Sequence, residues 1–143
     1  MHVLIEGHDL PGTEFVSGGT QLTNVHVGVQ VRDQPDQLVR ADAQTARWEF
    51  DVKVIDDGVD FRGPAVHGRR GERFVYLTWG DVGSDGTFTM FRRAKLMFAD
   101  IDTDVLAAAI ASGELVASIH LTDDLGGPRC ARVRPPVVSW RAG

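Results

Sequence analysis

Seven side chains in the middle of the chain have the types and spacing to hold an anion: Arg62, His67, Arg69, Arg70, Arg73, Arg92 and Arg93. A planar guanidinium donates paired hydrogen bonds to carboxylate or phosphate, which an ammonium cannot do. In the stretch GPAVHGRRGERFVYLTWG, Gly68 and Gly71 frame Arg69-Arg70, so backbone amides can approach the same anion. The plain alternative is a hairpin tip, with glycine supplying turn dihedrals and arginine keeping it solvated. A nucleotide-hydrolase phosphate loop is excluded, because the spacing lacks the terminal Gly-Lys-Ser/Thr and a strand pattern, not a helix, follows. In FTMFRRAKLMF the alternation puts Arg93 and Lys95 on one face with Phe91 and Met97. Arg92 falls on the other face with Ala94, Leu96 and Phe98. A charge on an apolar face needs a partner, so Arg92 either pairs with an internal carboxylate (Glu49, Asp51 or Asp60) or meets a ligand's anion. The ion pair is the preferred reading.

Other chemistries find less support. His2, His8, His26, His67 and His120 are scattered, without the spacing of a metal site, so no metal and no cofactor is expected. Cys130 stands among Arg129, Arg132 and Arg134, which favour a thiolate, but a lone cysteine more often fills space. Asp56-Asp57 and Asp123-Asp124 fall in turn patterns and make no acid/base dyad. No catalytic residue is assigned.

These residues need elements to position them, and the alternation supplies strands. Val25, Val27, Val29 and Val31 alternate with polar residues, as do Trp48, Phe50, Val52 and Val54. Further strands are expected at 2–6, 58–62, 73–79, 87–98, 114–121, 130–134 and 137–140. Turns at Asp57-Gly58, Gly68 to Gly71, Ser84-Asp85-Gly86 and Gly126-Gly127-Pro128 separate them. Phe74 to Trp79 carries large groups on both faces and belongs at the centre of a sheet. Residues 7–24 read as a loop from which Phe15-Val16 dips into the core. Residues 103–112 form the one helix, capped by Asp102 or Thr103 and ended by Gly113. Its stripe is Val105, Leu106, Ala109 and Ile110, and its three alanines suit close packing. The fold class is mainly β: one antiparallel β-sandwich or partly open β-barrel with this short α-helix, a single domain over residues 1–143.

Charge and composition bound the function. With 43% hydrophobic and 24% charged residues the chain is an ordinary soluble domain. Its net charge of −5 argues against broad nucleic-acid binding. Residues 58–98 nonetheless hold 7 Lys/Arg against 4 Asp/Glu, a basic island in an acidic chain. No signal peptide or membrane span is visible, which places the protein in the cytoplasm.

The segments GVDFRGPAVHGRRGERFVYLTWG, GTFTMFRRAKLMF and LTDDLGGPRCARVRPP resemble an uncharacterised bacterial, mostly actinobacterial-type family of single-domain proteins. The resemblance implies a small stand-alone domain and carries over no activity, cofactor or catalytic residue. It also implies prolines or glycines at the positions of Arg69-Arg70 in relatives, leaving Arg73 and Arg92-Arg93 better placed for a shared role.

The leading functional expectation is a non-catalytic binding domain. Its partner would be a small anionic ligand, an acidic protein surface or a short RNA segment. Arg62, His67, Arg73, Arg92 and Arg93 would be the main contacts and Arg69 and Arg70 outer ones, with Tyr76 or Trp79 as a wall. A second reading is a small enzyme using His67 as general base in a barrel mouth. A third is a homodimerisation unit.

Overall fold

The computed structural model describes residues 1–10, 15–17, 20–32, 34–121 and 138–143. The alternating runs fold as strands because period-2 patterning gives each one an apolar and a polar face. They are β1 (His2–His8), β2 (Phe15–Ser17), β3 (Thr20–Leu22), β4 (Val25–Val31), β5 (Gln34–Arg40) and β6 (Thr45–Asp51). After these come β7 (Lys53–Ile55), β8 (Asp60–Arg62), β9 (Phe74–Val82), β10 (Phe88–Met97), β11 (Glu114–His120) and β12 (Val138–Ala142). The helix α1 spans Thr103–Ser112.

Two four-stranded sheets result, in the orders β12-β11-β1-β6 and β10-β9-β4-β5, with two small hairpins, β2-β3 and β7-β8. Val3, Ile5, Trp48, Leu115 and Ile119 of the first sheet share one buried cluster with Val25, Val27, Val29, Leu77 and Trp79 of the second. This is the sandwich alternative of the expected class, and the described strands close no barrel. The expected centre of the second sheet is correct: β9 lies between β10 and β4.

Three features depart from the sequence reading. First, β1 and β11 run parallel, His2 opposite Glu114 through His8 opposite His120, so the first sheet is mixed rather than wholly antiparallel. The cause is local. Gly113, at φ 87°, ends α1 and turns the chain directly into β11, while its carbonyl accepts from His2 N at 2.8 Å. Second, the β2-β3 hairpin falls within the loop expected at 7–24, and β5 falls where no element was assigned. Third, of the consecutive alanines Ala107 to Ala109 only Ala109 is buried, and Ala107 and Ala108 face solvent. The side chains of Phe15 and Val16, the strand expected at 130–134, and Cys130 lie outside the described residues.

Gln37 joins the two sheets at their edges. Its side-chain amide accepts from Glu49 N at 3.0 Å and donates to Glu49 O, substituting for a strand partner of β6. Its own carbonyl accepts from Trp48 Nε1 at 2.8 Å. No helix among the described residues is long and apolar enough to cross a membrane.

Candidate functional site

The basic island divides into two layers. The inner layer centres on Asp60, a carboxylate only 1% exposed at the start of β8. A buried carboxylate is costly without cationic partners, and Asp60 has two. Arg73 donates from Nε to Oδ1 at 2.9 Å and from Nη2 to Oδ2 at 3.5 Å, and Arg62 donates from Nε to Oδ2 at 3.0 Å. Arg73 also donates from Nη1 to the carbonyl of Gly68, tying the tip to β8. Hydrogen bonds from Arg73 first and Arg62 second hold Asp60 well below the usual carboxylate range, against the opposing effect of burial. This layer is an internal ion cluster, with its cations directed at the protein's own carboxylate.

The tip is also matched. His67 and Phe74 exchange backbone hydrogen bonds, and Gly68 and Gly71 take φ 84° and 86°, which closes the hairpin expected there. Arg69 Nε lies 2.9 Å from Glu72 Oε2, and Arg70 Nη2 lies 3.6 Å from Asp56 Oδ2.

The outer layer is built on the solvent face of β9 and β10. Phe74, which is buried, and Tyr76, half-buried, take the face opposite Val75, Leu77 and Trp79, which face the core. Met97, Lys95 and Arg93 of β10 stand opposite Phe74, Tyr76 and Thr78. Each cation leans one step back along the row: Arg93 Cζ sits 4.4 Å from the Tyr76 ring centroid, and Lys95 Nζ 4.5 Å from that of Phe74. These are cation–π distances. Among the described residues neither cation has a carboxylate within salt-bridge reach. The His67 ring completes the platform, 5.0 Å from Tyr76 and 5.9 Å from Phe74. Its Nε2 is 3.1 Å from the carbonyl oxygen of Gln30, so Nε2–H is the donor there. A hollow of about 470 Å³ separates this row from the tip, walled by Gly68, Arg69, Glu72, Phe74, Lys95 and Met97.

Residues 1–143, the entire chain, match a single family model. The chain belongs to DUF5990, a family of unknown function. No curated protein and no solved structure matches it.

For this DUF5990 chain, the structure sets His67 and Arg93 against Tyr76, places Arg69 on the wall of the hollow, and directs Arg62 and Arg73 to Asp60. Arg70 turns toward Asp56 instead. Arg92 stands opposite Trp79, half-buried and engaged with the protein itself, on the other face from Arg93 as the alternation requires. The residue that the list of candidates lacked is Lys95. Its signal was present in the two-residue spacing Arg93-x-Lys95 beside Phe74-x-Tyr76, which needs only the pairing of β9 with β10 to become a row. Tyr76 is a half-buried wall of that row, whereas Trp79 belongs to the core. Among the described residues no group of three or more His, Cys, Asp or Glu side chains is arranged to hold a metal ion.

Proposed function

We propose that this DUF5990 chain is a non-catalytic, cytoplasmic bacterial binding domain that holds an anionic ligand or acidic partner on the Arg93–Lys95 row. The observation carrying this reading is the asymmetry within the basic island. Arg62, Arg69, Arg70 and Arg73 are each matched by a carboxylate, whereas Arg93 and Lys95 rest on aromatic rings. A cation over a ring face keeps its N–H groups available at the rim and is already oriented, so less freedom is lost on binding. Arg69, across the hollow, provides a third donor once an anion competes with Glu72. His67 bonds through Nε2 to a backbone carbonyl and packs on two rings, which suits a wall of the platform better than a general base.

The test is a titration with inorganic tripolyphosphate and with a glutamate-rich peptide. Each charge-assisted contact is worth about 1.5–3 kcal/mol. Arg93→Ala with Lys95→Ala is therefore expected to weaken binding at least roughly tenfold while leaving the melting temperature nearly unchanged. Equal binding by wild type and double variant would overturn the proposal.

A further inference from the structure

We infer that the partner of this face is an extended acidic peptide that adds to the open edge of β10 as a further strand, its carboxylates lying beside Arg93 and Lys95. The inference rests on the binding reading above and specifies its partner. Among the described residues β10 is the terminal strand of its sheet, paired only with β9. From Arg92 to Met97 it keeps unbroken register with Trp79 to Phe74, so this stretch is regular and extended. In such a strand half of the amides and carbonyls point away from the neighbour and are free to template another chain.

The other edges are less suited. Gln37 occupies the edge of β6 with its side chain and, at φ 51°, breaks the extended course of β5. β12 has only five residues and packs against α1. β10 therefore has the longest regular open edge among the described strands.

Charge selects the occupant. Arg93 and Lys95 are two residues apart on one face, a separation of roughly 7 Å, and the alternate residues of an added strand repeat at the same distance. Directly opposed side chains in paired strands approach within about 5.5 Å at Cβ, close enough for each carboxylate to meet one cation. The intervening positions would lie beside Ala94 and Leu96, both buried toward the core, and suit small or β-branched residues. The matching segment alternates Asp or Glu with Val or Thr. The same row opposes a second copy of β10, because two-fold pairing would bring like charges together. The bulge between Met90 and Arg92 limits the docking stretch to its C-terminal side.

The experiment uses the full chain and a synthetic peptide alternating glutamate with valine or threonine, followed by amide hydrogen exchange and by affinity. Expected are slowed exchange at the β10 amides that point away from β9, and at least a tenfold loss of affinity when the sheet-facing peptide nitrogens are methylated. Arg93→Ala with Lys95→Ala should cause a comparable loss. If the methylated peptide binds as well as the parent and exchange in β10 is unchanged, strand addition is wrong, although dependence on Arg93 and Lys95 would leave the basic-face reading standing. If neither the peptide nor tripolyphosphate binds, both fall together.

Discussion

Asp60 and Arg73 illustrate how one buried carboxylate decides what its neighbours can do. Because the Asp60 carboxylate is buried, Arg73 and Arg62 neutralise it, Arg73 with two nitrogens and the more exposed Arg62 through Nε. Arg73→Ala should lower stability, since it leaves the Asp60 carboxylate with only the more exposed Arg62 as partner. Chemical denaturation monitored by tryptophan fluorescence would measure this. The pH dependence follows with a definite sign. Asp60's folded-state pKa is depressed, so its contribution is fully present above the ordinary aspartate range and is lost as pH falls below about 4. Asp60→Asn should therefore reduce stability at neutral pH and flatten the acid limb of the stability profile. His2 has the opposite sign. Its pKa is raised, chiefly by hydrogen bonding to Asp51, against partial desolvation and with help from Glu49. Its contribution is present below about pH 6.5 and fades as pH rises through the folded value. His2→Gln should remove that slope, an effect kept small by solvent exposure.

The hairpin tip and β10 are the elements that place the site. Gly68 has φ 84°, and a Cβ there would come within 2.5 Å of Glu72 O. Gly68→Ala should cost more than the ~1–2 kcal/mol of a left-handed non-glycine residue, and should disturb the Gly68 carbonyl to which Arg73 donates. Thermal unfolding compared with Gly71→Ala, where a Cβ meets nothing within 4 Å, would isolate the steric part. Much of this architecture was legible in the sequence. The valine ladder of β4, the two-faced β9, the capped α1 and the glycine tip all carry local signals that agree with their tertiary setting. β5 was not legible, because QPDQLVR contains a proline and only Leu38 and Val39 as apolar residues. An edge strand tolerates such a sequence, since its outer N–H groups need no partner. The parallel pairing of β1 with β11 was hidden too, because register between distant strands is a tertiary fact that neither strand's alternation encodes. At the site, the basic island was visible as composition. Which arginines are neutralised depends on where Asp56, Asp60 and Glu72 fold, and the two-residue spacing of Arg93 and Lys95 gained meaning only from the aromatic row of β9.

For the whole molecule, a net charge of −5 coexists with a cationic row that has no carboxylate partner among the described residues. Such a charge distribution orients an acidic partner toward one face while repelling it elsewhere, so affinity should fall steeply with added salt. The row also acts as a guard on an open edge. Arg93→Ser with Lys95→Ser should increase self-association, measurable by light scattering, because the charges that oppose edge-to-edge pairing are gone. The central claim, that the available positive charge lies on the Arg93–Lys95 row and not on the glycine-framed tip, is tested most directly by mapping amide chemical shifts during titration with tripolyphosphate. Perturbations centred on His67, Phe74, Tyr76, Arg93 and Lys95 are expected. Perturbations centred on Gly68 to Gly71 of the tip, or on Arg47 and Arg141 of the other sheet, would contradict this claim.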